Sequence, residues 1–196
     1  AGVKPILGCE VYVAAGNHDE KTYNVGNNKW GYYHLVLLAQ NNMGYRNLMK
    51  LTTIGYLNGF YYKPRVDKSL LKKYNEGLIA TSACLAGEVT SFAVRGDYES
   101  AKKAALEHME IFDDRFYLEL QKHGIEEEER ARPMLVKLSE ELGIPLVATN
   151  DNHYSLREHS DAHDILFCCG MGKFKSDTDR HRYEHEQFYI KTADEM

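Results

Sequence analysis

An α/β fold built on a mostly parallel sheet is the class this chain predicts, and three observations predict it. Short apolar, β-branched runs alternate with stretches of helical periodicity almost throughout. No two-residue hairpin signal joins consecutive apolar runs. The run Ile144-Pro145-Leu146-Val147-Ala148-Thr149 follows a helical stretch closed by Gly143 and leads directly into Asp151-Asn152-His153. A buried parallel strand ending in a polar triplet is the pattern of a sheet that keeps its ligands at the carboxyl ends of its strands.

Each element is justified in turn. Pro5 to Val13 reads as a strand ending near Glu10, and Tyr32 to Ala39 as a second with Leu35 to Leu38 as its body. Between them, residues 18 to 31 are polar and carry Asn24, Gly26, Asn27 and Asn28, the composition of a loop. Gly44 to Leu57 reads as helix, and Leu78 to Ser82 as a third strand running into Ala83-Cys84-Leu85. Asp97 opens a helix whose Tyr98, Ala101, Ala105, Met109 and Phe112 share one face. Phe116 to Leu120 is a fourth strand. Glu126 to Leu142 is a helix with Leu135, Leu138 and Leu142 inward and a charged first turn. The fifth strand leads to Asp151, Asp161 to Cys169 is helical, and Gln187 to Lys191 is a late short strand.

Composition bounds the function. At 196 residues with 43% hydrophobic and 27% charged, the chain has enough apolar matter for one domain's core. It contains no apolar stretch of the roughly 20 residues that span a membrane. Cys9, Cys84, Cys168 and Cys169 show neither C-x-x-C spacing nor scaffold density, which fits a reducing cytoplasm. A net charge of −5 with scattered lysines and arginines excludes a broad basic face for duplex DNA. Gly170-Met171-Gly172-Lys173 is not a phosphate loop, since Phe167 stands where its first glycine belongs and Phe174 replaces the Ser or Thr.

Residue types that ligate metals recur at the strand ends. Glu10 lies in the first strand, His34 in the second, Cys84 after the third, Glu119 in the fourth with His123 beyond it, and Asp151 and His153 after the fifth. Strand alternation would project Asp151 and His153 together. Carboxylate, imidazole and thiolate together suit zinc or manganese ahead of magnesium. Each residue also has a plainer role open to it. Glu10 can be a surface carboxylate, His34 a satisfied core histidine, and Cys84 a small buried hydrophobe. Glu119 can pair with a lysine or arginine, and His123 can mark a turn. The remaining His18, His108, His159, His181 and His185 fall in loops or on polar helix faces and read as solvated.

At this point the chain resembles a known family. Gly8-Cys9-Glu10-Val11-Tyr12-Val13, Tyr33-His34-Leu35-Val36, Gly59-Phe60-Tyr61-Tyr62-Lys63-Pro64-Arg65 and Ser82-Ala83-Cys84-Leu85-Ala86-Gly87-Glu88 carry the likeness. Phe116 to Gln121 with His123-Gly124, Ala148 to Tyr154, Ala162-His163-Asp164 with Leu166 and Cys168, and Phe188 to Lys191 continue it in order. Together they resemble the polymerase-and-histidinol-phosphatase (PHP) domain, in the version carried by bacterial replicative DNA polymerase III α subunits.

The resemblance implies a distorted seven-stranded (β/α) barrel, with metal ligands mapping onto Glu10, His34, Cys84, Asp151 and His153 and, less firmly, His123. It implies a metal-dependent phosphoesterase of 3′–5′ exonuclease type or, alternatively, a non-catalytic docking module. The family's opening H-x-H strand and the strand ending in D-H have no counterpart, so residues 1–196 are expected to be a PHP domain lacking its first two strands. The chain begins without Met and within a few residues of a strand, as if cut inside a domain. Its last 35 or so residues would lead towards a polymerase body. Magnesium would serve a polymerase centre outside this chain. DNA, a proofreading exonuclease subunit and other replicase subunits are the implied partners, with self-association through an unpaired first strand.

Overall fold

The computed structural model describes residues 2–21, 31–183 and 185–196. Six strands form a single sheet in the order β3-β1-β2-β4-β5-β6. They are β1 (Gly8–Ala14), β2 (Tyr32–Ala39), β3 (Arg65–Val66), β4 (Leu78–Thr81), β5 (Phe116–Leu120) and β6 (Leu146–Ala148). The helices are α1 (Asn42–Leu57), α2 (Lys68–Lys73), α3 (Glu88–Val94), α4 (Tyr98–Phe112), α5 (Glu126–Leu142) and α6 (Ser160–Met171). This is the mixed α/β architecture expected. Among the described residues no pairing joins β6 back to β3.

The sheet departs from the parallel expectation at one strand. β2 runs antiparallel to both β1 and β4, whereas β1–β3, β4–β5 and β5–β6 are parallel. A tight turn would have announced the β1–β2 pair, but the connection is long, and residues 22–30 of that expected loop lie outside the described residues. The reversal matters for the site. It brings the beginning of β2, where His34 sits, level with the later part of β1.

Alternation then sorts the two faces. Val11, Val13, Leu35, Leu37 and Ala80 point to one side and are buried with Leu51, Leu71, Phe112, Phe116, Leu118, Leu135 and Leu138. The helices cover this face. Glu10 opposes Val36 and Tyr12 opposes His34, so these four share the other face, which leads across Thr81 and Tyr117 to Glu119.

Several boundaries are corrected. β1 continues through Ala14, which makes Glu10 its third residue and not its end. β6 is parallel as expected but not buried, because it is the outer strand and Leu146 is 39% exposed. Gln187 to Lys191 forms no strand, only a single parallel bridge between Tyr154 and Tyr189. β3, α2 and α3 are too short for a period to register and were not expected.

Helix starts follow local chemistry. The side chains of Asn41 and Asp97 accept from the backbone N–H of Gly44 and Ser100, capping α1 and α4. Gly44 is required for packing, since a Cβ there would lie 1.8 Å from the Gly77 carbonyl oxygen. Pro133 stands within α5 on its exposed side, where water can satisfy the carbonyl that loses its donor.

His18, expected to be solvated, instead pairs with Asp67 at 2.5 Å, and Asp67 also caps α2 through the Leu70 N–H. Burial works to raise the Asp67 pKa, but hydrogen bonds from Ser69, the His18 N–H and ring, and the Leu70 N–H outweigh it and bring it down to about 2. A carboxyl held below its ordinary value stabilises the fold above that value. The contribution should be lost as pH falls from about 4 to 2. Asp67→Ala should lower stability at neutral pH by about 1–2 kcal/mol, and urea melts at pH 7 and pH 2 should show the gap narrowing in acid.

Candidate metal centre

Three of the expected donors meet on the open face of the sheet. Glu10 and His34 are diagonal neighbours on β1 and β2, and the Glu10 Oε1 lies 2.7 Å from the His34 Nδ1. The Cys84 Sγ lies 3.6 Å from the same nitrogen. Cys84 reaches it because the chain turns sharply after β4. Ala83 adopts φ 58°, and the Ala86 carbonyl accepts the His34 N–H at 3.0 Å. Gly87 makes this turn possible, as a Cβ there would stand 1.9 Å from the Ser82 oxygen. Burial opposes a charge on His34, yet hydrogen bonds to Cys84 and Glu10 push its pKa up to about 10. Glu10 is correspondingly held below the usual carboxylate range, chiefly by its bond to His34.

Asp151 and His153 lie on the loop after β6, with Asp151 within range of the Glu10 charge, but the alternation expected of a strand does not place them there. β6 stops at Ala148. Asp151 instead takes φ 40°, a left-handed conformation that few non-glycine residues adopt. The His153 Nδ1–H donates to the Asp151 carbonyl at 2.6 Å, which leaves Nε2 as the lone-pair nitrogen, and the Tyr183 hydroxyl donates to it at 3.0 Å. A backbone carbonyl fixing the tautomer of a histidine is the usual support behind a metal-ligating imidazole. Burial raises the Asp151 pKa, and the nearby Glu10 carboxylate pushes it the same way. Tyr183 is pushed up to about 12 by burial and by the charges of Asp151, Cys84 and Glu10. Asp151 and Glu10 thus lie within range of each other's charge, and Tyr183 lies within range of Asp151, Cys84 and Glu10.

The other candidates, Glu119 and His123, are engaged with protein partners. Glu119 is buried, and among the described residues it forms no ion pair with a lysine or arginine. Its Oε1 accepts from the Thr81 hydroxyl and from the Ala83 N–H at 3.1 Å, and its Oε2 accepts from Thr149 at 2.5 Å and Gln121 at 3.3 Å. One carboxylate therefore ties the turn that presents Cys84 to the loop that presents Asp151. His123 is 1% exposed, with Nδ1 2.5 Å from Glu128, Nε2 2.9 Å from the Asn150 carbonyl, and its ring stacked on Phe188 at 4.0 Å. Both its nitrogens are occupied by protein partners. His108, expected to be solvated, is 3% exposed, lies 3.2 Å from Glu88 and stacks on Phe116.

The late segment around Phe188 acts as a clamp. Asn150 Nδ2 donates to the Gln187 and Tyr189 carbonyls at 2.8 and 2.7 Å, and the His153 N–H donates to the Phe188 carbonyl at 2.8 Å. Tyr183 and Phe188 were missed in the sequence because neither has a residue type or spacing that announces such a role.

Donor chemistry here fits a divalent ion of borderline softness, with two carboxylates, two imidazoles and a thiol. Glu10 and Cys84 each contact His34, and among the described residues no three His, Cys, Asp or Glu side chains are spaced to close around an ion.

Comparison with known proteins decides the family. The PHP domain matches residues 1–123. The chain belongs to the PHP domain family. Its relatives extend the likeness beyond that stretch. The PHP chain is 48% identical over its whole length to a DNA polymerase III subunit alpha of Borreliella burgdorferi and 44% identical to that of Treponema pallidum, covering 17% of each. It is 40% identical to the same subunit of Thermus aquaticus, again over its whole length and 16% of the relative. The PHP chain thus spans about a sixth of the length of these relatives, and the similarity includes the Asp151–His153 loop.

Proposed function

We propose that this PHP domain is part of a DNA polymerase III α subunit acting in bacterial chromosomal replication in the cytoplasm. Within it, we propose that Glu10, His34, Cys84, Asp151 and His153 hold zinc or manganese in the intact domain, a seven-stranded barrel, and serve a 3′–5′ exonuclease-type phosphoesterase site. End-to-end similarity to α subunits supports the first part. The single observation supporting the second is the meeting of carboxylate, imidazole and thiol on the uncovered face of the sheet. Bound ions would lower the pKa of a water and neutralise phosphoryl charge. Glu10 and Asp151 supply negative charge to balance such ions. The Asp151 carbonyl takes the Nδ1–H of His153, so an ion at Nε2 would displace the Tyr183 hydroxyl, and Glu119 ties the turn before Cys84 to the loop before Asp151. Nucleotidyl transfer, with its magnesium, would belong to the remainder of the subunit, as would contacts to DNA and other replicase subunits.

A docking module for the polymerase body and a proofreading subunit is the second reading. The mutual pairing of Glu10, His34 and Cys84 favours it, because a cluster that satisfies itself needs no ion to stand.

Element analysis of the full-length subunit, with a 3′-labelled single-stranded oligonucleotide as substrate, tests the choice. Tightly held zinc or manganese is expected. Its removal by a chelator, followed by return of magnesium alone, should restore polymerisation but not hydrolysis. A metal-free subunit without hydrolysis, whose site variants dock the proofreading subunit poorly, would establish the second reading.

A further inference from the structure

A cleft of about 310 Å³ lies beside the donor cluster, between α6 and the chain from Lys175 to Glu186. None of the five donors lines it, but Tyr183 belongs to both, since its hydroxyl bonds the His153 Nε2 at 3.0 Å. That volume is at the small end of sites for organic ligands.

Two features of its wall are left unsatisfied by the protein. The Arg180 side chain is 2% exposed, with its guanidinium nitrogens on Asp164, yet its Nε is buried without a hydrogen-bond partner. The Tyr154 hydroxyl is likewise buried without one. Buried donors rarely go unpaired in a finished structure.

Charge points the same way. The carboxylates lining the cleft are each engaged: Asp164 with Arg180, Asp161 with Lys175, and Glu186 with Arg157. Arg182 is exposed, lines the cleft and has no ion-pair partner among the described residues. The lining charges balance, with Asp161, Asp164 and Glu186 against Lys175, Arg180 and Arg182, but Glu186 is taken by Arg157 from outside the lining, which leaves Arg182 to meet an added anion. His163, Phe167 and Tyr183 add aromatic rings to the wall, mutually in edge or tilted contact with centroids 4.9–5.5 Å apart. Donors and a cation beside aromatic rings are what a phosphate joined to a flat base requires.

We infer that this cleft is a nucleotide subsite, in which Arg182 and the unpaired Nε–H of Arg180 take the phosphate and the His163–Phe167–Tyr183 wall takes the base. It rests on the reading of the donor cluster as a phosphoester site, whose substrate end it would position.

Equilibrium binding of thymidine 5′-monophosphate to the full-length subunit, measured in chelator and compared with inorganic phosphate and thymidine, tests it apart from catalysis. The monophosphate should bind more tightly than either fragment. Arg182→Ala, at an exposed position that folding does not need, should weaken it about tenfold, as expected for loss of a charge-assisted contact. Phe167→Leu should weaken the monophosphate but leave inorganic phosphate unchanged.

Equal binding by parent and Arg182→Ala would overturn the inference, even if hydrolysis were present and the phosphoester reading stood. Inorganic phosphate binding as tightly as the monophosphate would also overturn it. Loss of binding in Arg182→Ala, in a parent that shows no hydrolysis, would uphold the subsite while removing the catalytic reading.

Discussion

Asp151→Asn in the full-length subunit should abolish most metal retention and lower single-strand hydrolysis by about 100-fold or more, while polymerisation continues. The estimate is a floor, because groups that merely support a ligand are already worth about 10–100-fold. The amide keeps the side chain's shape and its place in the loop, so the change isolates charge. Burial raises the pKa of this carboxyl and Glu10 adds a second negative charge nearby, so without a cation Asp151 is an uncomfortable neighbour. Melting in chelator should therefore be unchanged or slightly higher in the variant. In the presence of zinc or manganese the parent should gain stability that the variant does not, by an amount set by metal concentration over its dissociation constant. A lower melting temperature in chelator, with no hydrolysis in the parent to lose, would instead assign Asp151 to the docking reading.

Glu119→Leu should cost about 3 kcal/mol of stability and disorganise the donor cluster, although Glu119 is not one of the five donors. The substitution strands the buried Ala83 N–H and takes the acceptor from the Thr81 and Thr149 hydroxyls. Each stranded buried group costs about 1–3 kcal/mol, and the hydroxyls can rotate to recover part of it. Ala83 immediately precedes Cys84, and Thr149 lies two residues before Asp151, so both loops lose their common anchor. Urea unfolding measures the first effect, and zinc affinity of the folded variant measures the second. Lost affinity that Glu119→Asp partly recovers would mark Glu119 as a positioning residue. Unaltered affinity in a destabilised variant would confine it to the fold.

Much of this was visible in the chain because it is local. Apolar periodicity gave β2, β5, α1, α4 and α5 nearly residue for residue. The donor residue types at strand ends named Glu10, His34 and Cys84, which the structure brings into contact, and Asp151, whose pKa the Glu10 charge raises. Local pattern did not report that β2 is antiparallel, because register depends on a partner strand distant in sequence. It misplaced the reason for the Asp151–His153 geometry, which comes from a left-handed residue and a clamping segment beyond the end of β6. It also set His108 and His18 in solvent, since nothing within a few residues discloses Glu88 or Asp67.

By itself, then, the sequence determined the α/β class, most element positions and the chemical identity of the donors, all properties carried by neighbouring residues. The tertiary structure alone decided that the Nδ1 of His153 meets the Asp151 carbonyl and its Nε2 the Tyr183 hydroxyl, that Glu119 and His123 are held by buried partners, and that Arg180 pairs with Asp164. The Nδ1 bond apart, those outcomes depend on hydrogen bonds and packing between residues 16 to 36 positions apart. Such contacts form only after the chain has closed on itself, and no short window of sequence contains both partners.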